Sequence, residues 1–182
     1  MKVDKTKRRA QLVTIAFMIV ATLLGGGRSL YRLRDAAEAS FFAEDSYGYS
    51  MAYDYDRIIV DAKNMMTVIN RYDALDTDFT QELVQVTAEM ETAGAVADRK
   101  RLSEEMTELF SRMESDDEWK AVLTKQDLTL LHGLFAEAKA CKQTMRQNAY
   151  NERADAFNRE LAMFPASVFG GLLRIDSLSV FE

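Results

Sequence analysis

Two asparagines near the C-terminus, Asn151 and Asn158, have the residue type and spacing that most favour a chemical interpretation. They lie seven residues apart, about two turns of an α-helix, so both amides fall on one side of a helix, next to the apolar Phe157. A carboxamide on an apolar face costs stability unless its donors and acceptor find partners, and a recognised use is to fix how helices pair. The pair therefore predicts either a structural role in helix pairing or a site where two amides bind a polar ligand.

Other reactive side chains do not form a recognisable set. The single histidine, His132, lacks an acidic residue at the spacing of a Glu-x-x-His metal pair. The single cysteine, Cys141, excludes an internal disulfide and a multi-thiolate metal site. Phosphate-binding glycine loops, nucleophile elbows and zinc spacings are absent from the sequence. We therefore predict a protein that is not an enzyme and that needs no cofactor and no metal.

An uncharged apolar stretch from Ala10 to Gly27 dominates the N-terminal region. As a helix it spans about 27 Å, close to the roughly 30 Å hydrocarbon core of a bilayer. We predict a transmembrane helix over residues 10–30, after a basic flank over residues 1–9. The alternative is a cleaved signal peptide, with small residues at Gly25 and Gly27 before the cut. Basic residues lie on both sides of the stretch: Lys7, Arg8 and Arg9 before it, and Arg28, Arg32 and Arg34 after it.

The charge of the chain is distributed unevenly. Residues 1–34 carry eight Lys and Arg and one acidic residue, whereas residues 35–182 carry fifteen Lys and Arg against twenty-eight Asp and Glu. Five basic residues precede the apolar stretch and three follow it, which favours a cytoplasmic N-terminus and a domain on the far side of the membrane. A domain this acidic does not suit nucleic acid, whose phosphates require a basic face.

Composition and periodicity predict an all-α fold. One proline and few glycines outside residues 25–27 leave few helix breakers, and apolar residues recur every three or four positions. We predict a stem helix and a Tyr-rich turn over residues 31–50, then an antiparallel bundle of three to four long helices over residues 51–182. The helices are expected at 51–72, at 77–113 with a kink or local unwinding near 94–101, and at 124–164 after a capping box formed by Thr124 and Asp127. The apolar tail over 166–182 should be held against the bundle.

The stretch Tyr150-Asn-x-x-Ala-x-x-Phe-Asn-x-x-Leu-x-x-Phe-Pro165 resembles the LemA family of bacterial membrane-anchored helical proteins. The segment from Asn64 to Tyr72 is similar to a second part of that family, although Lys63 stands where the family usually has proline. The resemblance implies an antiparallel helical bundle on a membrane anchor in the bacterial cell envelope. It assigns structural roles to eight residues: Asn64, Tyr72, Tyr150, Asn151, Phe157, Asn158, Phe164 and Pro165.

These features lead to two hypotheses for function. The first is a non-enzymatic scaffold or interaction module, which contacts membrane lipids through its N-terminal helix and binds other envelope proteins or a second copy of itself. The second is a ligand- or lipid-sensing bundle with a groove near Tyr47–Tyr55 and Asn151/Asn158. The tyrosines would contact the ligand there, although they equally suit aromatic packing over the end of a bundle.

Overall fold

The computed structural model describes residues 5–45, 48–75 and 78–181, and these form helices and no strand. The all-α prediction is therefore confirmed for this part of the chain. A 3₁₀ turn covers Asp73–Leu75. The α-helices are α1 (Lys5–Ala39), α2 (Met51–Ile69), α3 (Asp78–Thr92), α4 (Val96–Ser115), α5 (Asp117–Ala121), α6 (Lys125–Arg146), α7 (Ala149–Ala162) and α8 (Ala166–Leu173).

Helix α1 is a single 35-residue helix, about 52 Å long at 1.5 Å per residue. Among the described residues it is the one helix whose length and composition suit a membrane span. Its described side chains before Gly25 are exposed, whereas Leu30 and Ala37 in its second half are buried against the rest of the protein. The predicted span and the predicted stem are thus parts of one helix.

Helix α2 follows the predicted pattern closely. Ser50 caps its N-terminus by accepting a hydrogen bond from the Tyr53 amide over 3.1 Å. The apolar face of α2 packs against α6 and α3. The core-forming side chains of this helix are Met51, Tyr55, Ile58, Ile59, Ala62, Met65, Val68 and Ile69.

The expectation of one kinked helix over 77–113 is wrong, because the chain forms two helices, α3 and α4, that pack against each other. Residues 76 and 77 lie outside the described part, and α3 begins at Asp78. The break is stabilised by side chains of other helices, which donate hydrogen bonds to carbonyl groups at the end of α3 that the helix backbone leaves unpaired. The Tyr55 hydroxyl donates to the Met90 carbonyl over 3.1 Å, and Arg99 Nε donates to the Ala93 carbonyl over 3.1 Å.

The expectation of one helix over 124–164 is also wrong. Helix α6 ends at Arg146, and α7 begins at Ala149 and ends at Ala162, before Phe164 and Pro165. The Asn148 side chain caps α7 by accepting from the Tyr150 amide over 2.9 Å. Asn151 Nδ2 donates to the carbonyls of Met145 and Arg146, so side chains of α7 satisfy the end of α6.

Helices α2, α3, α4 and α6 enclose the core, which includes Leu83, Met106, Leu109 and Phe135. The end of α2 meets the start of α6, where the Thr124 amide donates to the Tyr72 hydroxyl over 3.1 Å. One half of the predicted capping box is present, because the Thr124 hydroxyl accepts from the Asp127 amide over 3.2 Å. The other half is replaced, since the Thr124 amide donates to Tyr72 and not to the Asp127 carboxylate. Tyr72 also donates to the Asp127 carboxylate, whose pKa this hydrogen bond holds below its usual value.

Candidate membrane-facing site

The chain after α8 is held in an extended course along α7 by three side chains of the predicted signature. Asn158 Nδ2 donates to the Leu178 carbonyl over 2.9 Å, and Asn158 Oδ1 accepts from the Leu178 amide over 2.7 Å. Asn151 Oδ1 accepts from the Phe181 amide over 2.9 Å, and the Tyr150 hydroxyl donates to the Ser179 carbonyl over 2.8 Å. We call these three residues (Tyr150, Asn151 and Asn158) the tail clamp.

The spacing of the two asparagines matches the spacing of their targets. Seven residues of helix advance about 10 Å. Three residues of extended chain, from Leu178 to Phe181, advance nearly the same distance at about 3.3 Å each. The tail therefore runs antiparallel to α7, and it buries the side chains of Ile175, Leu178 and Phe181. Of the apolar tail expected over 166–182, the part from Ile175 to Phe181 is therefore held against α7, whereas Val168 and Leu172 are exposed.

An aromatic cluster joins the tail to the end of α1. The Phe41 ring lies 5.7 Å from the Tyr150 ring and 5.9 Å from the Phe181 ring, measured between centroids. Burial raises the pKa of the Tyr150 hydroxyl to about 12, so it stays protonated and able to donate to the tail. The cluster connects α1, α7 and the tail in one contact.

Helix α7 begins at this cluster and runs towards the exposed apolar part of α1, which lies before Gly25. Tyr150 at its start is next to Phe41, and a groove farther along has Leu33 of α1 and Glu160 of α7 in its walls. The two helices therefore run antiparallel, and the end of α7 carries the chain towards Gly27. The segment after α7, which we call the tip (Met163–Leu173), includes the cis peptide bond between Phe164 and Pro165 and all of α8.

Helix α8 packs directly on the glycines at the end of the predicted span. A β-carbon on Gly26 would collide with the Phe169 ring, and one on Gly27 would collide with the Leu173 side chain. The Tyr31 hydroxyl donates to the Leu173 carbonyl over 3.2 Å. The lack of a β-carbon at Gly26 and Gly27 thus allows α8 to approach α1 closely at this level.

The outer side of the tip is apolar and exposed. Phe164 is 85% exposed, and Leu172 is 65% exposed. Met163 and Val168 are also exposed, and α8 itself contains no charged residue. The exposed apolar surface of the tip adjoins that of α1, where the exposed side chains are Leu12, Val13, Ile15, Phe17, Met18, Val20 and Leu24.

Cationic side chains surround the end of the apolar stretch. Arg28 and Arg32 are exposed, while Arg34 forms an ion pair with Glu38 over 3.1 Å. Arg174, which ends α8 in a left-handed conformation with φ of 53°, is exposed as well. On the other side of the stretch Arg9 is exposed, and the side chains of Lys7 and Arg8 lie outside the described ones.

The remaining signature residues lie elsewhere. Asn64 is exposed on α2, and Tyr72 joins the cap of α6 at the opposite end of α2 from the aromatic cluster. Phe157 is buried on α7. The structure therefore brings Tyr150, Asn151 and Asn158 together at the tail, but it does not bring Asn64 or Tyr72 to them.

Two buried carboxylates on α2 were missed by the sequence reasoning. Asp54 and Asp61 are 8% and 1% exposed. Burial, assisted by the nearby Asp45, raises the pKa of Asp54 to about 6. Burial also raises the pKa of Asp61, against the lowering influence of Arg57, and Asp61 Oδ2 lacks a hydrogen-bond partner among the described residues. Their positions continue the three- and four-residue stripe of α2, which is the signal that could have revealed them.

The residues that were predicted to form a sensing groove contact other groups of the same chain. Tyr47 lies outside the described residues, and the rings of the exposed Tyr49 and Tyr53 contact each other at a tilt of 59°, with centroids 5.2 Å apart. Tyr55 is buried and donates to a backbone carbonyl. The amides of Asn151 and Asn158 are engaged by backbone groups of the same chain.

No protein-family model, curated protein or solved structure matches this chain. The resemblance to the LemA family therefore stays a prediction.

Proposed function

We propose that this protein is a single-pass membrane protein of the bacterial cell envelope, in which an antiparallel helical bundle of the LemA type acts as a non-enzymatic scaffold. The observation that carries the proposal is the continuity of α1. Its first half exposes an apolar surface, and its second half is packed into the domain without an intervening loop. A continuous helix of this kind supports a domain held at a fixed distance and orientation at the membrane, rather than one on a flexible linker.

The basic residues around the span support a cytoplasmic N-terminus and an extracytoplasmic domain. Protease treatment of intact cells, with the mass of the mature N-terminus measured in the same sample, tests this topology. Degradation of the domain from outside, together with a mass that includes residues 10–30, is the expected result. A mature N-terminus at or after Arg28 contradicts the retained anchor.

A groove at the end of the domain far from the tip is a candidate surface for an envelope partner or a second copy. It has the aromatic residues Phe79 and Trp119 and the half-exposed Val122 in its walls, with Arg112 and Glu118 beside them. Its further charged lining residues are Asp78, Glu82 and Asp116, and aromatic residues beside charged ones are common at protein-binding surfaces.

Variants at two similarly exposed valines test this surface. Val122, in the groove, is 40% exposed, and Val60, on α2, is 44% exposed. In cross-linking of whole cells followed by purification, we expect Val122→Arg to lose a cross-linked species that the wild type and Val60→Arg both retain. Equal recovery with both variants contradicts a role for the groove, and the absence of any cross-linked species contradicts the scaffold.

One observation favours a ligand- or lipid-sensing bundle, with its groove at a different place from the predicted one near Tyr47–Tyr55 and Asn151/Asn158. A groove of about 460 Å³ between α1 and α7 is lined by Leu33, Ala36, Ala37, Arg153, Ala156, Phe157 and Glu160. Its apolar walls with one cation and one anion suit an amphiphile. Extraction and mass spectrometry of lipids from purified protein test this role, with Ala36→Phe expected to abolish any specific co-purification.

A further inference from the structure

We propose that the tip, Met163–Leu173, is a second membrane contact, which inserts into the interface of the same leaflet from which α1 emerges. This inference rests on the proposed membrane anchor and adds a lipid-binding surface within the domain. The occupant we assign to this surface is the bilayer itself.

The first argument is the level at which the tip lies along α1. The uncharged stretch of α1 ends at Gly27, and its length of about 27 Å places these glycines at the boundary of the hydrocarbon core. Phe169 and Leu173 contact Gly26 and Gly27, so α8 lies at that same boundary. Any bilayer that surrounds the exposed side chains of α1 reaches α8 as well.

The second argument is the composition of the tip. A helix that is apolar on all sides is normally covered on all sides, by protein or by lipid. Ala166 and Gly170 of α8 are buried, and Phe169 and Leu173 are partly buried against α1 and α7, but Val168 and Leu172 face outward. Protein therefore covers one side of α8 only.

The third argument is the exposure of Phe164. This side chain is 85% exposed at the turn between α7 and α8, where it joins Met163 in an apolar projection. Exposed apolar patches mark interaction sites, and the contacts of α8 with Gly26 and Gly27 place this one near the end of the apolar stretch of α1. Phenylalanine and leucine at the acyl boundary, with arginines that reach the headgroups, are typical of interfacial membrane segments. Arg174 at the end of α8 and Arg28 on α1 are placed for such headgroup contacts.

Depth-dependent quenching of tryptophan fluorescence by brominated lipids tests the proposal. The full chain is reconstituted in phosphatidylcholine and phosphatidylglycerol vesicles after Trp119→Phe removes the native tryptophan. Tryptophan is then placed singly by Phe164→Trp or Leu172→Trp at the tip, by Phe17→Trp within the span, and by Val84→Trp on α3. Phe17 and Val84 are 77% and 51% exposed, so all four sites are accessible in the protein alone.

We expect emission to be lost at both tip positions and at Phe17→Trp in brominated vesicles, while Val84→Trp keeps its emission. The lipids that quench the tip should carry bromine near the headgroup end of the acyl chain, and those that quench Phe17→Trp should carry it deeper. Quenching at Phe17→Trp without quenching at either tip position overturns the tip proposal and leaves the anchor intact. Protection of the tip from aqueous iodide without quenching by brominated lipid indicates a second protein copy, and also overturns it. No quenching at Phe17→Trp overturns the anchor and the tip contact together.

Discussion

Asn158 and Leu178 exchange two hydrogen bonds, in which the side-chain amide of one residue pairs with the backbone amide and carbonyl of the other. In a β-sheet, the backbone of a neighbouring strand would supply this pair of hydrogen bonds. Here the side-chain amide of Asn158 supplies them, and they hold the extended chain along α7. With Asn151 and Tyr150 it fixes the course of the tail after the tip. The clamp thus holds residues 178–181 on α7, whereas α8 contacts α1 directly through Phe169 and Leu173.

The first prediction follows from this pairing. Asn158→Ala leaves the Leu178 amide and carbonyl without their partner, and we expect a loss of about 1–3 kcal/mol in the free energy of unfolding. Chemical denaturation in detergent measures this loss. Asn64→Ala is the matched control, because Asn64 is exposed on α2 and its removal should change stability by less than about 0.5 kcal/mol. Equal effects of the two variants would contradict the clamp.

The clamp also shows what the sequence can and cannot predict. The seven-residue spacing correctly placed Asn151 and Asn158 on one side of a helix, but it could not identify their partners. Their partners in the tail are backbone groups 20 and 30 residues away. Every residue has a backbone carbonyl, and nearly every residue has an amide, so residue type does not identify such a partner. Seven helical residues and three extended residues span nearly the same distance, but this match can be recognised only once the tail is known to be extended.

The helix boundaries were missed for a related reason. The spacing of apolar residues continues across both breaks, from Ala93 to Ala97 and from Met145 to Ala149, so periodicity predicted one helix where two exist in each case. The breaks are stabilised by side chains from other helices, such as the bonds of Tyr55 and Arg99 to carbonyls at the end of α3. Where a boundary depends on local chemistry, as at the Thr124 cap, the sequence predicted it correctly.

A second prediction compares two phenylalanines of the C-terminal region. Phe181 is 6% exposed and packs near the rings of Phe41 and Tyr150, whereas Phe164 is 85% exposed. We expect Phe181→Ala to lower the free energy of unfolding by about 3–5 kcal/mol, as for other buried phenylalanines. Phe164→Ala in the same detergent should change it by less than about 0.5 kcal/mol. A smaller loss for Phe181→Ala than for Phe164→Ala would contradict the packing of the tail.

A third prediction concerns Arg99, whose guanidinium carbon lies 5.1–5.6 Å from the ring centroids of Phe41, Phe42 and Tyr55. Arg99→Met keeps an unbranched side chain but removes the charge and the hydrogen bond to the Ala93 carbonyl, and should cost about 1–2 kcal/mol of stability. A double-mutant cycle with Phe42→Leu should show coupling between the two sites. Arg101→Met is the control, since Arg101 forms only exposed ion pairs of small effect. Additive effects of Arg99→Met and Phe42→Leu would exclude a cation–π contact between them.

A fourth prediction is a pH dependence of stability caused by Asp54. Its pKa is raised from 3.8 to about 6, so the native state keeps a proton that the unfolded state releases between these values. Stability from this residue is complete below pH 4, falls as pH rises, and is fully lost above pH 6. Asn mimics the protonated form, so Asp54→Asn should stabilise the protein by about 1–3 kcal/mol at pH 8 and by little at pH 4.

The control for this pH effect is Asp56→Asn, because Asp56 is exposed on the same helix. Denaturation curves for both variants and the wild type at pH 4 and pH 8 separate the local effect from the other titrating groups. If the stabilisation by Asp54→Asn is the same at both pH values, the carboxyl group of Asp54 does not titrate in this range. Burial also raises the pKa of Asp61, so Asp61→Asn should likewise stabilise the protein more at pH 8 than at pH 4.

The fifth prediction tests the contact between α8 and α1. A side chain at Gly27 would collide with Leu173, whereas the space beside Gly25 is open within 4 Å. Both glycines lie in α1, so leucine gains the same helix propensity at each position, and the difference between the variants reports the contact with α8 alone. We expect Gly27→Leu to be less stable than Gly25→Leu by about 1–3 kcal/mol, the usual cost of overpacking.

Hydrogen exchange should locate the loss in α8, because the tail clamp anchors residues 178–181 to α7 independently of the glycines. If exchange instead increases equally in α8 and at residues 178–181, then the tip and the tail form one cooperative unit, and the position of α8 is set by the glycines and the clamp together.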